Sequence, residues 1–405
     1  MKSFLTIAII TFSAFCCKAQ VWQMPNSMNN DTYGLQVRND TVIVSGLNTL
    51  SISYDNGATW TGIISNLPAS PFVRDVLWVN NRLFVTILYK GIWVSDNLGQ
   101  SWQQFDGTTV PSNGPTELGT DGTSLFIADV NGFLWKSPLN TPNLTKILTV
   151  NGAVTDISID AGDNIYVSTV LQGVYYSTDH GATFTQISNG LPPISPTLYS
   201  EVQSIASNGN GDIYCGVSSK GVFKYNASLG TWQAKNDGIE EVANNIGTSY
   251  RGLYAFDDNV LFGTTNGNVY LSTNKAELFT NISAGQNVPV YKIALSPTKI
   301  FVSRYSVKYR TFEGLFTSAS SEALAKYDIK VYPNPVQDYL DIKINDYHEA
   351  AEIDIVDYSG RTVLAKQISS IGEYKLDVSG LSKGFYAIRI MKDGALISSG
   401  KFVKM

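Results

Sequence analysis

Ser177-Thr178-Asp179-His180-Gly181-Ala182-Thr183-Phe184 reads Ser-x-Asp-x-Gly-x-Thr-aromatic. The same octet stands at Ser53-Tyr54-Asp55-Asn56-Gly57-Ala58-Thr59-Trp60. A version that we read as one residue longer is Ser95-Asp96-Asn97-Leu98-Gly99-Gln100-Ser101-Trp102, with Asp96 as its acid. Degenerate copies follow at Ser272-Thr273-Asn274 and around Leu229-Gly230-Thr231-Trp232. In such a unit Asp or Asn accepts backbone N–H bonds, Gly takes a positive φ, and the aromatic packs beneath the turn. The residues expected to do this structural work are Asp55, Gly57, Trp60, Asp96, Gly99, Trp102, Asp179, Gly181 and Phe184.

Aligned on the closing residue, Trp60, Trp102, Leu144, Phe184, Trp232 and Phe279 follow one another at intervals of 42, 42, 40, 48 and 47 residues. Periods in this range signal a β-propeller with four strands per blade. The internal pattern agrees. Asp156-Ile157-Ser158-Ile159, Asn164-Ile165-Tyr166-Val167, Gly173-Val174-Tyr175-Tyr176 and Thr183-Phe184-Thr185-Gln186 are four alternating runs bounded by Gly, Asp or Asn. Seven blades are expected over residues 20–317. The last starts at Lys292-Ile293-Ala294-Leu295, continues through residues 299–303 and Gly314-Leu315-Phe316-Thr317, and lacks an outer strand. Val21-Trp22-Gln23-Met24 has the pattern to supply it, which would close the ring and remove an open sheet edge.

The octet resembles the Asp-box, or BNR repeat, of sialidase-like propellers. That resemblance implies a box between the third and fourth strands, on the face opposite the usual ligand face. Asp55, Asp96 and Asp179 are therefore not expected to be catalytic. On the other face each innermost strand begins near the axis. The residues at those starts give Tyr33, Arg74, Gln203, Arg251, Tyr291 and Lys292 as candidate ligand contacts. Asp75, Glu117 and Asp156 are the candidate acids, because glycoside hydrolysis uses two carboxylates across a sugar-sized gap. Long loops at 189–201 and 236–250 lead into the same face. Sialidases add an arginine triad and a Phe/Tyr-Arg-Ile-Pro motif, of which Phe72-Val73-Arg74-Asp75 is a faint echo. Xyloglucan-cleaving enzymes use two tandem propellers, and this chain has one. Assembly factors of the photosystem type use a single sevenfold propeller for binding. No catalytic residue carries over from these families.

Composition bounds the partners. Among 405 residues the formal charge is −5, and it becomes two units more negative once Lys2 and Lys18 leave with the leader described next. No basic run appears, so nucleic acid is not an expected partner. Residues 1–19 read as a signal peptide. Lys2 gives the positive start, residues 4–15 an apolar stretch too short to span a bilayer, and Cys17-Lys18-Ala19 a cleavage site after Ala19. The rival is a lipid anchor at Cys16 or Cys17, which Phe15 fits poorly. Only Cys215 remains in the mature chain, as a small buried hydrophobe in a strand-like run, so core packing and not disulfides must stabilise it. With two histidines, His180 and His348, a zinc site of several His or Cys ligands cannot be built. No metal or organic cofactor is expected, and the propeller is read as a monomer.

Past a polar connector at 318–327 the rhythm changes. Val331-Tyr332-Pro333-Asn334-Pro335-Val336 opens a unit of clean two-residue alternation, as in Leu340-Asp341-Ile342-Lys343-Ile344 and Gly384-Phe385-Tyr386-Ala387-Ile388-Arg389-Ile390. Such alternation predicts a small antiparallel sandwich over 328–405. The Tyr-Pro-Asn-Pro start, the Asp357-Tyr358-Ser359-Gly360-Arg361 turn, the strand above and the Lys-ending Lys401-Phe402-Val403-Lys404 resemble the type A sorting domain of the type IX secretion system. The resemblance implies recognition by that machinery and its sortase. It also implies release, or attachment at the outer-membrane surface of a Gram-negative cell. The expected class is therefore all-β: a seven-bladed β-propeller followed by a small Ig-like β-sandwich. The expected function is a secreted, non-catalytic module for an extracellular glycan or protein ligand. The alternative is a sialidase-like or xyloglucanase-like glycoside hydrolase or lyase using Asp75, Glu117 and Asp156.

Overall fold

The computed structural model describes residues 22–24, 31–105, 114–243, 250–283, 288–296, 298–311, 329–334, 336–344, 350–357, 362–368, 373–382, 384–392 and 395–404. The leader, residues 314–317, the connector, Val21, and Tyr358 to Arg361 of the sorting-domain turn lie outside these ranges.

The chain folds sheet by sheet. Thr32–Arg38, Thr41–Gly46, Thr49–Ser53 and Thr61–Gly62 pair antiparallel in that order to make the first sheet. Five further four-stranded sheets repeat the plan, and a three-stranded sheet follows, among the described residues. Their first strands are Val73–Val79, Pro115–Thr120, Val154–Ile159, Val202–Ser207, Tyr250–Phe256 and Lys292–Leu295. Each first strand contacts the next in sequence, and Lys292–Leu295 contacts Thr32–Arg38, so the series returns to its start. The arrangement is propeller-like, with the first strands innermost.

Apolar burial between neighbouring sheets explains the strand sequences. The second strand of each sheet is sandwiched on both faces, so Arg82–Ile87 is buried over five consecutive residues instead of alternating. Ile43, Leu50 and Ile52 of the first sheet meet Val73, Val76 and Val85 of the second. Leu77, Phe84 and Ile92 of the second meet Leu118, Leu125 and Ile127 of the third. Burying such a side chain contributes about 1.5–3 kcal/mol. Cys215 lies fully buried in Ile213–Val217, where burial pushes its thiol pKa up.

The octets are clamped turns between third and fourth strands. Ser177 Oγ donates to Asp179 Oδ1 at 2.8 Å and accepts the Gly181 N–H at 2.8 Å. Asp179 accepts from Thr183 N–H at 2.9 Å and Thr183 Oγ1 at 2.6 Å. Gly181 takes φ +86, and Ser53, Asp55, Gly57 and Thr59 repeat the design. The threonine hydroxyl, the threonine N–H and the serine hold the carboxyls of Asp55 and Asp179 down at about 2.

The copy at 95–102 corrects the sequence reading. Asn97, not Asp96, is the clamped residue: it accepts from Ser95 Oγ at 2.9 Å and from the Ser101 N–H at 2.9 Å. The octet is the same length as the others, with Asn in the acid's place. Asp96 faces solvent and pairs with Arg82 at 2.5 Å. The degenerate copy at 272 keeps the clamp, with Ser272 Oγ accepting the Ala276 N–H at 3.1 Å and Ala276 at φ +66. The turn before Trp232 is a different one, in which Asn226 Oδ1 accepts the Leu229 N–H at 3.1 Å.

The closing tryptophans also differ from expectation. Trp60 donates to its own turn at Gly57 O, 3.1 Å. Trp102 and Trp232 instead reach the preceding sheet, donating to Ile63 O at 2.8 Å and Ile187 O at 2.5 Å. Trp22 makes the same bond, to Ile282 O at 2.9 Å, and Gln23 exchanges two backbone bonds with Tyr309 at 2.8 and 2.9 Å. The chain start thus pairs along the third strand of the seventh sheet. That strand is Val307–Thr311, not the 314–317 run expected from sequence. Its charged alternation, Val307-Lys308-Tyr309-Arg310-Thr311, hid it from a search for apolar runs.

In the tail, Ile329–Tyr332, Tyr339–Ile344 and Glu373–Asp377 form one antiparallel sheet. Thr362–Ile368, Ala351–Asp357, Gly384–Lys392 and Ala395–Lys404 form another, in that spatial order. Leu340, Ile342 and Leu376 from the first share one core with Ile353, Ile355, Ile388 and Phe402 from the second.

The clamp makes a sharp mutational distinction between neighbours. Asn97→Ala leaves the Ser101 donor and the Ser95 hydroxyl without their partner and should cost about 1–2 kcal/mol. Asp96→Ala removes only an exposed ion pair and should cost at most about 1 kcal/mol. Urea unfolding of the two variants checks the order.

Candidate functional site

Strand direction decides which groups meet. The first strands run away from one end of the ring, and most carry a bulge at that start. Register shifts fall between Thr32 and Gly34, Val73 and Asp75, Val154 and Asp156, Val202 and Ser204, and Arg251 and Leu253. A bulge adds one residue and re-aims its neighbours. Here it brings the strand starts onto one cavity of about 440 Å³, lined by Tyr33, Arg74, Asp75, Glu117, Asp156, Gln203, Arg251, Tyr291 and Lys292. All nine were selected from sequence, and all nine line this space. Among the described residues, no three or more His, Cys, Asp or Glu side chains are grouped as a metal ion would need.

The three acids are tied. Asp75 Oδ2 accepts the Leu118 N–H of the next sheet at 2.9 Å. Asp156 Oδ2 accepts the Ile205 N–H of the next sheet at 3.0 Å, and its Oδ1 accepts the Ile157 N–H at 2.9 Å. Each aspartate therefore staples its own inner strand to the following one. Glu117 Oε2 meets Lys292 Nζ at 2.5 Å, which joins the third sheet to the seventh across the axis.

Their ionisation follows from burial. Asp75 is raised well above the carboxylate range by burial, with Lys292 opposing and Glu117 adding to the rise. Asp156 is pushed up to about 7 for the same reasons. Burial works against the charge of Lys292, but Glu117, Asp75 and Asp156 outweigh it and raise its pKa. One cation cannot neutralise three carboxylates in so enclosed a space. Burial and the Glu117 charge therefore favour the protonated forms of Asp75 and Asp156.

The mouth is different. Arg304 lies over Tyr291 at 4.0 Å, Tyr33 at 4.7 Å and Tyr305 at 4.9 Å. Arg251 lies over Tyr291 at 5.0 Å and Arg74 over Phe72 at 5.8 Å. Tyr33 packs on Phe72 at 4.8 Å. Sequence reading missed Arg304 and Tyr305. They occupy the second-to-third strand turn of the seventh sheet, and that turn was invisible while the third strand was placed seven residues too late.

Residues 330–405 match the family of secretion system C-terminal sorting domains. The match supports export by type IX secretion. Among the described residues no helix is long and apolar enough to cross a membrane. No curated protein matches the chain. Solved structures do. YCF48 from Cyanidioschyzon merolae aligns with a TM-score of 0.56 and 13% identity, over 72% of this chain and 98% of its own. YCF48 bound to D1 peptide aligns with a TM-score of 0.58 and 13% identity, over 76% and 99%. The extracellular domain of a hybrid two component system from B. thetaiotaomicron aligns with a TM-score of 0.55 and 10% identity, over 95% of this chain and 57% of that one. At such identities the likeness is one of fold, and it is propeller-like.

The buried charges give a pH test. Asp156 has its folded pKa raised from 3.8 to about 7, so its contribution to stability is full below about pH 4 and is lost as pH rises to 7. Asp156→Asn should flatten that part of the stability–pH curve. Lys292→Met leaves Glu117 unpaired and should cost about 3–5 kcal/mol, part of which Glu117→Gln restores. Urea midpoints from pH 4 to 8 measure both.

Proposed function

We propose that residues 20–317 form a seven-bladed Asp-box propeller. The connector at 318–327 would join it to an immunoglobulin-like sorting sandwich over 328–405. On this reading the type IX route delivers the propeller to the outside of a Gram-negative cell. There it serves as a non-catalytic module that takes a glycan or protein at the channel mouth.

One contrast carries the reading. The acids that catalysis would need are engaged in holding the ring, while the cations at the mouth lie on aromatic rings and meet no carboxylate among the described residues. A glycosidase needs one carboxyl free to protonate the leaving oxygen and another free as base or nucleophile. Asp75 and Asp156 spend oxygens on backbone donors, and Glu117 is paired with Lys292. Among the described residues, Arg74, Arg251 and Arg304 have no carboxylate within ion-pair distance. Lying over aromatic rings orients these guanidinium groups, and no carboxylate among the described residues occupies their edges. Such forks suit anionic groups bound in bidentate fashion. One observation favours the glycosidase alternative: Asp156, near 7, has the pKa of a general acid.

A glycan array and a fluorogenic glycoside panel separate the two. The full chain should bind without turnover, and Arg251→Ala with Arg304→Ala should weaken binding about tenfold or more. Turnover that disappears in Asp156→Asn would overturn the proposal.

A further inference from the structure

The rim around the mouth carries more than arginines. With antiparallel strands, every second-to-third strand turn lies at the end where the first strands begin. So does every connection from a fourth strand to the next sheet. Four of the exposed large apolar side chains sit on such turns: Leu47 (49% exposed), Tyr89 (68%), Val130 (42%) and Tyr305 (47%). Ile194 (60%) sits on the fourth-to-first connection, in the hairpin Pro193–Ser195 with Leu198–Tyr199.

Several of these join into an arc with the stacked cluster. Tyr305 touches Arg304, Arg304 touches Tyr33, and Tyr33 packs on Phe72. Phe72 pairs with Leu47 by an isolated bridge, and its carbonyl accepts the Leu88 N–H beside Tyr89 at 3.0 Å. The arc thus runs over the seventh, first and second sheets. Tyr89 also holds a left-handed backbone, φ +62, which bulky residues avoid. The equivalent turn of the fifth sheet has the same backbone at Ser219, φ +55, so the turn sets the conformation, while the tyrosine that fills it here turns a bulky side chain to solvent.

We infer that this face docks an extended acidic polypeptide segment that carries bulky apolar side chains. The inference rests on the binding reading above and narrows it. Charge complementarity fixes the sign, because Arg74, Arg251 and Arg304 present cations with no carboxylate partner among the described residues. The carboxylates deeper in the channel keep an anionic ligand at the rim. The apolar side chains fix the class. Sugars stack on aromatic rings but gain little from an aliphatic group such as Leu47, whereas a peptide's apolar side chains bury against Leu47, Tyr89 and Tyr305 along the arc. An extended segment crossing an arginine-studded rim sets alternate side chains toward it, so acidic and apolar residues can both reach.

Panning a displayed random dodecapeptide library on the full chain tests this. Enriched peptides should combine Asp or Glu with Leu, Phe, Tyr or Trp. Their affinity, read by fluorescence anisotropy, should fall at least tenfold in Arg251→Ala with Arg304→Ala and weaken with salt. It should fall likewise in Leu47→Ser with Tyr89→Gly, where the glycine relieves the backbone, so lost binding is not lost folding. Peptides without acidic enrichment, or peptides that bind all variants equally, overturn the inference. So does failure to enrich any peptide. If polygalacturonate then binds in an arginine-dependent manner, the binding reading survives and only the polypeptide partner falls. If nothing binds, both fall.

Discussion

The innermost strands of a ring have no further strand on their axial side, and their backbone donors must find another acceptor. Asp75 and Asp156 supply it, each reaching from one sheet to an N–H of the next, at Leu118 and Ile205. Leaving such a donor unpaired in a buried place costs about 1–3 kcal/mol. Ser158 does the same with a neutral group, accepting the Ser207 N–H at 3.0 Å. This need puts carboxylates in the channel. Once there, burial raises their proton affinity, Lys292 opposes the rise and Glu117 adds to it. The electrostatics of the site follow from a backbone problem.

The same logic separates floor from rim. At the floor, Asp75 and Asp156 accept backbone N–H groups and Glu117 pairs with Lys292, which ties the second, third and seventh sheets to one another and the fourth to the fifth. At the rim, arginines lie on aromatic rings and meet no carboxylate among the described residues. A fold that tolerated the rim charges only for stability would have paired them, since an unmatched cation near others is a cost. Their stacking on Tyr33, Phe72 and Tyr291 keeps them oriented without neutralising them. The clamped octets lie at the other end of the sheets. Their carboxyls are saturated by local serine, threonine and backbone donors. That saturation explains why a conspicuous acidic motif offers nothing to a ligand.

Closure is a third consequence of geometry. A sheet buried on both faces still has an outer edge, and Val307–Thr311 would leave one exposed beside the chain start. Gln23 covers part of it, and Trp22 inserts its indole where other sheets place the tryptophan of their own fourth strand. The two ends of the ring are thus held by the same interaction that joins Trp102 and Trp232 to the sheets before them.

Spacing and alternation in the sequence determined the propeller-like plan, the two-sheet tail and nine of the residues that line the cavity. Such patterns report strand length and which end of a strand starts a sheet, and these are local properties. The family match of the tail is likewise carried by a contiguous run. Three things were not local. Val307–Thr311 alternates charge with bulk, its apolar side chains bury against Leu35, Val42 and Val44 of the first sheet, and its edge pairs with Gln23, 286 residues before Tyr309. Arg304 belongs to the mouth only because that strand fixes the turn before it. Whether a carboxylate in the channel is free or bound is decided by a backbone N–H on the neighbouring sheet. Sequence names the groups at the axis, and only the closing of the ring decides which of them remain available.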